Sequence, residues 1–228
     1  MKNFSLVIPV YNEEFNIVNL YEEINQILDN NMRYEIIFID DGSTDNTRNE
    51  IINLKNDPKV TLYENEKNLG QSYSIFKGIK NSKNDTIVTL DGDGQNDPND
   101  ILKLLNLYNS NQKIKLVGGI RVNRKDTKLK KISSIIANKV RSYFLKDKCP
   151  DTGCALKVFS KEIFLTFEFF NGIHRFLPSL FIGAGYECEY IDVNHRYRTA
   201  GYSKYGVSNR LFKGILDIIK VKKMIKKL

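Results

Sequence analysis

The sequence is poor in several residues on which particular classes of protein depend. It has no tryptophan, two histidines, and three cysteines, Cys149, Cys154 and Cys188. An odd cysteine count without a secretory signal favours buried thiols in a reducing compartment over a disulfide framework. The apolar stretch 4–10 is too short for a signal-peptide core, so we interpret it as a first strand. No apolar run approaches the ~20 residues of a membrane-spanning helix, and we do not expect the chain to cross a membrane.

Positive charge is present in excess, but it is concentrated in two segments. The net charge is +8, while residues 121–148 carry +8 and residues 201–228 carry +7, so the rest of the chain is acidic. With 41% hydrophobic and 27% charged residues, the composition is that of a globular protein. Two basic segments on an acidic body favour a phosphate-bearing partner: a nucleotide, a lipid phosphate, a membrane surface or a nucleic acid.

The first 120 residues alternate between apolar runs and helical periodicity. We predict strands at 4–10, 34–40, 60–65, 86–91 and 115–119, with a helix between each pair. Ser43 is the expected cap of the second helix, and Pro98 is expected to open the fourth. This βαβαβαβαβ order predicts an α/β protein with a mostly parallel, doubly wound sheet.

After residue 120 the pattern changes. We predict a basic helix over about 128–146, a phenylalanine-rich and largely buried stretch, a strand at 189–196, and the loop RTAGYSKYG. We expect one domain over residues 1–207, followed by a basic amphipathic helical tail over residues 208–228.

The segment TIVTLDGDGQNDP, residues 86–98, places two carboxylates and two glycines at the tip of a buried strand. Ligands of doubly wound sheets bind beyond the carboxyl ends of the strands. Mg²⁺ and Mn²⁺ prefer oxygen ligands and usually retain substrate phosphates in their shell. We therefore interpret Asp91, Asp93 and Gln95 as metal ligands, with Gly92 allowing close approach of a ligand. An Asp/Gly turn without a ligand is the alternative.

Two further segments fall at the same predicted edge. In IPVYNEE, Tyr11 could stack on a base and Glu13 could accept from ribose hydroxyls. In IDDGSTD, Asp41 could read a base N–H. The alternative is that both segments only begin the helices that follow them.

Together the motifs resemble the inverting glycosyltransferases of family 2. More narrowly, they resemble the dolichol-phosphate mannose synthase-like, polyprenyl-phosphate glycosyltransferase branch. The segments that carry the resemblance are IPVYNEE, FIDDGSTDNT, NEKNLG, LDGDGQNDP, DTGCALKVFSKE and HRYRTAGYSKYG. The resemblance implies a GT-A (Rossmann-like) fold, a GDP- or UDP-sugar donor, a polyprenyl (dolichyl or undecaprenyl) phosphate acceptor, and Mg²⁺ or Mn²⁺.

The resemblance also implies a role for individual residues. Those that would contact the nucleotide sugar are Pro9, Tyr11, Glu13, Ile39, Asp41, Asp91 and Gly92. Those that would hold the metal are Asp91, Asp93 and Gln95. Those that would serve transfer itself are Asp93, Arg121, Arg198 and Lys204, the last two as cations of a loop that closes over the donor.

The chemical class of the acceptor, a phosphate or a hydroxyl, can be narrowed further. A lipid phosphate is already ionised near neutral pH and needs no general base, whereas a hydroxyl acceptor does. Relatives that glycosylate hydroxyls often carry a tryptophan-containing Q-x-x-R-W element, and this sequence has no tryptophan. We therefore expect hexose transfer to a polyprenyl phosphate. Transfer to a saccharide or lipid hydroxyl, with Asp151 as base, remains open. Nucleic-acid binding is disfavoured because the basic segments contain no recognisable binding motif.

The tail NRLFKGILDIIKVKKMIKKL has two apolar helical faces. The first comprises Leu211, Ile215, Ile218 and Ile219, and the second comprises Val221, Met224, Ile225 and Leu228. The helix could pack on the domain, or it could lie on anionic lipid through the lysines between 220 and 227. We favour the second interpretation, because a lipid acceptor lies at the membrane. We therefore expect a peripheral protein on the cytoplasmic membrane face, and leave open a separate membrane-protein partner.

Overall fold

The computed structural model describes residues 3–28, 32–122, 128–198 and 208–228, without the side chains of 128–134, 208–213 and 215. The strands are β1 (Phe4–Val10), β2 (Tyr34–Asp40), β3 (Val60–Glu64), β4 (Thr86–Thr89), β5 (Ile114–Arg121), β6 (Lys157–Ser160) and β7 (Glu187–Val193). The α-helices are α1 (Ile17–Ile27), α2 (Thr47–Leu54), α3 (Gln71–Asn81), α4 (Asp100–Ser110), α5 (Lys128–Leu145), α6 (Lys161–Leu165), α7 (Leu177–Gly183) and α8 (Ser208–Ile225).

The seven strands form one sheet in the order β3-β2-β1-β4-β6-β5-β7. Strands β1 to β4 are parallel to one another, and β5 is parallel to β7. β1 and β2 are buried on both faces, which explains why their sequences are continuous apolar runs and not alternating ones. The predicted mostly parallel sheet with flanking helices is confirmed.

One strand was not predicted from the sequence. β6 lies between β4 and β5 and runs antiparallel to both. It has four residues, and its partner strands β4 and β5 lie far away along the chain. No local sequence pattern therefore predicts it. The predicted fourth strand is also too long, since its ladder ends at Thr89, two residues before Asp91.

The predicted helix starts need correction. Ser43 does not cap α2, whose N-cap is Asn46. The Ser43 hydroxyl instead accepts a hydrogen bond from the backbone N–H of Asn12 at 2.9 Å. It therefore fastens the loop after β2 to the loop after β1. Helix α4 begins at Asp100, two residues beyond Pro98.

The C-terminal helix packs on the rest of the domain. α8 contacts α5 and α7. Val221 is fully buried, and Gly183 of α7 lies so close to α8 that an added Cβ would be 2.6 Å from Ile225 Cγ1. Asp217 forms an ion pair with Arg175 at 2.9 Å. One face of the tail therefore belongs to the same core as residues before 207.

The phenylalanine-rich stretch is buried, as expected. The side chains of Phe164, Phe167, Phe170, Phe176 and Phe181 lie in the core on the α3 and α7 side of the sheet. In the part of the chain that the structure describes, every helix is too short or too polar to cross a membrane.

Candidate active site

The acidic motifs meet at one edge of the sheet. Val10 at the end of β1 is paired with Asp40 at the end of β2, and β4 runs parallel beside β1. The turn after β4 lies against the end of β1, because an added Cβ on Gly92 would be 2.6 Å from Val10 Cγ1. A side chain at position 92 would therefore push the turn away from the sheet.

The loops after β1 and β2 are joined by short polar contacts. The amide oxygen of Asn12, which has a positive φ of 53°, accepts from the backbone N–H of Thr44 at 2.8 Å. The backbone N–H of Glu13 donates to Thr47 Oγ1 at 2.7 Å. Tyr11 is half-buried between these contacts. The segment after β1, which is predicted to contact the nucleoside, therefore has a defined shape.

Asp41 holds a third loop. Its carboxylate accepts from the backbone N–H groups of Leu69 and Gly70, both at 2.9 Å, and from Asn65 Nδ2 at 2.8 Å. Both oxygens thus bind the loop that leads into α3. In this structure Asp41 fixes the position of the loop before α3. Its contact with a nucleoside stays a prediction.

Ile39 has no exposed surface. It is fully buried in β2 and packs under α3, where an added Cβ on Gly78 would be 2.6 Å from Ile39 Cδ1. Pro9, its partner in β1, is half-buried. The predicted contact of Ile39 with a nucleoside therefore stays a prediction, while its packing role is evident.

The turn after β4 brings two carboxylates together. Asp91 Oδ1 accepts from Gln71 Nε2 at 2.7 Å, and Asp93 Oδ1 accepts from the backbone N–H of Gln95 at 3.1 Å. Burial and the neighbouring charge of Asp93 raise the pKa of Asp91 to about 7, although the charge of Lys157 opposes this shift. A turn in which one carboxylate disfavours the ionisation of its neighbour is stabilised by a cation.

The donor set suits a hard divalent cation that shares its shell with a substrate. Among the described residues, no group of three or more His, Cys, Asp and Glu side chains could hold a metal. Asp91 and Asp93 supply two carboxylates, and Gln95, whose Nε2 donates to the Arg196 carbonyl at 3.4 Å, lies beside them. Mg²⁺ and Mn²⁺ sites with few protein ligands are completed by water and phosphate oxygens.

We call residues 91–95 the metal turn, after the ligands predicted there. Residues 194–198 run alongside it, and the sequence did not indicate this arrangement. Asn96 and His195 form an antiparallel bridge, and the backbone N–H of Arg196 donates to the Gln95 carbonyl at 2.9 Å. The backbone N–H of Asn194 donates to Asp100 Oδ2 at 2.7 Å. We call residues 194–198 the strap. It carries Arg198, whose Nη2 lies 2.8 Å from Asp93 Oδ2.

Arg121 and Asp151 form a two-point ion pair. Arg121 Nε lies 2.8 Å from Asp151 Oδ2, and Arg121 Nη2 lies 2.9 Å from Asp151 Oδ1. Gly153 leaves room for this pair, since an added Cβ there would be 2.8 Å from Arg121 Nη2. Both carboxylate oxygens of Asp151 are thus engaged by the guanidinium, which is an arrangement for positioning Arg121 and not for abstracting a proton.

A buried lysine beside the site was also missed. Lys157 in β6 is almost fully buried, and its ammonium donates to the carbonyl of Cys154 and, at 3.4 Å, to that of Thr152. Among the cations that lower the pKa of Asp91, its charge has the largest effect. The sequence signal for this residue was a charged side chain within the apolar run ALKVFS.

Lys204 and the predicted closing loop lie outside the described residues.

The chain is similar in sequence to enzymes that act on polyprenyl phosphates. It is 34% identical over 226 residues to a dodecaprenyl-phosphate galacturonate synthase of Rhizobium johnstonii, covering 95% of this chain and 65% of that protein. It is 33% identical over 208 residues to an undecaprenyl-phosphate 4-deoxy-4-formamido-L-arabinose transferase of Shewanella sediminis, covering 90% and 62%. The chain therefore spans somewhat less than two thirds of the length of these relatives.

The fold is that of solved glycosyltransferases. Glucosyl-3-phosphoglycerate synthase from Mycobacterium tuberculosis, in complex with Mn²⁺, UDP and phosphoglyceric acid, superposes with a TM-score of 0.74 at 18% identity, covering 95% of this chain and 78% of that one. Its complex with Mg²⁺ and UDP gives a TM-score of 0.72 at 17% identity, covering 95% and 79%. These similarities confirm the predicted GT-A fold. Since the family model for glycosyl transferase family 2 also matches residues 5–166, the chain belongs to glycosyltransferase family 2.

Proposed function

We propose that this protein is an inverting, metal-dependent hexosyltransferase that uses a nucleotide diphosphate sugar and a polyprenyl phosphate acceptor. The observation that carries the proposal is the pairing of Asp151 with Arg121 next to the turn of Asp91 and Asp93. The site thus offers cations to phosphates, while the carboxylate suggested as a base is engaged. Relatives named for transfer to dodecaprenyl and undecaprenyl phosphates support the acceptor class.

The donor would be bound at the edge formed by β1, β2 and β4. Pro9, Tyr11 and Glu13 would face the nucleoside, with Asp41 and Ile39 fixing the loops behind them. Asp91, Asp93 and Gln95 would hold Mg²⁺ or Mn²⁺, and Gly92 would let the diphosphate approach the backbone. When bound, the metal would neutralise the charge that develops on the leaving nucleoside diphosphate.

The acceptor would need orientation more than activation. A phosphate monoester is ionised near neutral pH, so its oxygen can attack the sugar carbon without losing a proton to the protein. Arg121, held rigidly by Asp151, would orient that phosphate, and Arg198 and Lys204 would stabilise the departing diphosphate. In the hydroxyl-acceptor alternative, Asp151 would first have to leave a two-point ion pair.

The membrane contact would use two neighbouring helices. On α5, five apolar side chains are exposed: Ile135, Ile136, Val140, Tyr143 (79%) and Phe144 (47%). On α8, Leu216 and Ile219 are exposed, and Lys222, Lys223 and Lys226 line a shallow depression beside Ile219. The two helices pack together, with Lys222 Nζ 5.7 Å from the centre of the Phe144 ring. We call this surface the α5–α8 face.

The α5–α8 face has the chemistry of an interface with anionic lipid. Its aromatic and aliphatic side chains would lie at the boundary between lipid head groups and acyl chains. Its lysines would be attracted to the negatively charged membrane surface. We propose that it places the protein peripherally on the cytoplasmic membrane face, where a polyprenyl phosphate would be met. The tail thus has one face in the core and one available to lipid.

A donor screen tests the proposed function. Each GDP- and UDP-sugar would be supplied with undecaprenyl phosphate and Mg²⁺, and lipid-linked sugar would be measured after extraction. We expect product with at least one donor and none in EDTA. Product with a saccharide or lipid alcohol, and none with the polyprenyl phosphate, would favour the hydroxyl-acceptor alternative.

A further inference from the structure

Arg198 lies against a carboxylate oxygen of Asp93 that the predicted metal would use as a ligand. Its Nη2 lies 2.8 Å from Asp93 Oδ2 and 3.5 Å from Glu13 Oε1. The side chains are largely buried, with 21% of Arg198 and 13% of Asp93 exposed. An ion pair this well shielded from water is screened less than a surface pair.

Both oxygens of Asp93 are engaged. Oδ1 accepts from the backbone N–H of Gln95, and Oδ2 faces Arg198. A divalent cation at Oδ2 would lie within a few ångströms of the guanidinium, and two positive charges at that separation repel strongly. Metal binding through Asp93 Oδ2 therefore requires Arg198 to move.

The strap limits how far this movement can carry the guanidinium. The backbone of Asn194 is tied to Asp100, and that of Arg196 to Gln95, just ahead of Arg198. The displaced guanidinium therefore stays close to the metal turn. Once displaced from Asp93, it would pair with an anion bound at the same turn, because a guanidinium pairs well with phosphate oxygens.

We propose that Arg198 is a placeholder cation that opposes binding of a divalent metal alone and favours binding of the metal together with a nucleoside diphosphate. This inference rests on the proposed function, since it assigns the diphosphate to the same turn. Without the diphosphate, the metal must displace Arg198 from Asp93 and gains only two carboxylate ligands. With it, the displaced guanidinium gains the diphosphate oxygens, so metal and nucleotide bind cooperatively.

The proposal predicts opposite effects of one substitution in two states. Mn²⁺ binding to the full chain would be titrated by electron paramagnetic resonance, first alone and then with saturating UDP or GDP. In Arg198→Gln, Mn²⁺ alone should bind about fivefold tighter than in wild type, because the competing cation is gone. With nucleotide, Mn²⁺ should bind to Arg198→Gln at least about fivefold more weakly than to wild type, because the diphosphate no longer has an arginine partner.

Arg196→Gln is the matched control. Arg196 is the neighbouring arginine of the strap, and it pairs with Glu23 and Asp97 instead of the metal turn. Its substitution removes the same charge and should shift Mn²⁺ affinity in one direction in both states. Arg198→Lys, which keeps a cation, should restore most of the wild-type pattern. Thermal melting would verify that each variant is folded.

The outcomes separate this inference from the proposed function. Equal shifts in both states for Arg198→Gln, or the same opposite-sign pattern in Arg196→Gln, would overturn the placeholder role while leaving the metal site intact. If wild-type protein binds no Mn²⁺ with either nucleotide, the proposed metal site is itself wrong, and the inference fails with it.

Discussion

Asp93 is a residue whose contacts belong to the site and not to the core. It accepts from one backbone N–H of its own turn and from the guanidinium of Arg198 in the strap. Asp91 differs, because burial raises its pKa and Gln71 donates to it. A substitution at Asp93 should therefore affect ligand binding far more than folding.

For Asp93→Ala we expect a melting temperature close to wild type and a loss of transfer rate of ~10²-fold or more, because the leaving diphosphate loses a ligand of its metal. The rate would be measured with saturating donor and Mn²⁺. Asp57→Ala is a control, since Asp57 lies before β3 at the opposite edge of the sheet and pairs with Lys59. Undiminished turnover of Asp93→Ala, or of wild type in EDTA, would contradict the assigned metal site.

Asp151→Asn distinguishes positioning from base catalysis. Asparagine can still accept from Arg121 but loses the charge, so we expect transfer to fall by no more than about tenfold, with an unchanged pH profile. A loss of several orders of magnitude, together with a changed pH profile, would instead show that Asp151 accepts a proton. Arg121→Lys is the companion variant and should be the more damaging of the two, because lysine lacks the planar fork.

At the scale of elements, a buried ion pair holds the inner side of α5 against the domain. Arg141 pairs with Asp147 at 2.8 Å, and both side chains are almost fully buried. The guanidinium also donates to Thr152 Oγ1 and to the Cys149 carbonyl, and Asp147 accepts from Ser179. This network joins α5 to the DTGC segment and to α7.

Arg141→Met should therefore destabilise the fold by about 3 kcal/mol or more, because it leaves Asp147 buried without its counter-charge. The free energy of unfolding would be measured by chemical denaturation. Arg48→Met is the control, since Arg48 pairs with Glu64 at the surface and its loss should change the free energy of unfolding little. If the two variants are equally stable, the buried network does not hold α5.

The sequence predicted those elements whose signal is local. Strands such as β1 and β2 are buried on both faces and appear as unbroken apolar runs. The convergence of acidic turns followed from parallel strands ending at one edge. β6 and the strap could not be predicted in this way, because their contacts join segments that are far apart in the chain. The Arg121–Asp151 pair likewise spans thirty residues.

At the scale of the whole molecule, the α5–α8 face combines exposed apolar area with positive charge. The structure also changes how this face should be tested. Removing residues 220–228 would delete Val221 from the core, so loss of lipid binding after truncation would be ambiguous. Substitution of surface side chains avoids that difficulty.

We expect the triple variant Lys222→Gln, Lys223→Gln and Lys226→Gln to bind anionic vesicles about 10²-fold more weakly, since each lysine near the surface contributes about 1 kcal/mol. Binding would be measured by sedimentation with phosphatidylserine vesicles at low salt. Nucleotide affinity should be unchanged.

A second triple variant controls for net charge. Lys55→Gln, Lys80→Gln and Lys113→Gln remove three charges from exposed positions just after α2, on α3 and in the turn before β5. This protein should bind vesicles nearly as well as wild type. If both triple variants weaken binding equally, lipid attraction is a property of overall charge and the α5–α8 face is not the docking surface.

The position of β6 has a consequence for the order in which the chain folds. Strands β3, β2, β1 and β4 all come from the first ninety residues and can pair as the chain emerges, whereas β6 must wait for α5 and then enter between β4 and β5. Pairings between distant segments form slowly, because the intervening chain must first be closed into a loop. In pulse-labelled refolding, amides of β1 and β2 should therefore gain protection before those of β6, so that the two halves of the sheet are joined last.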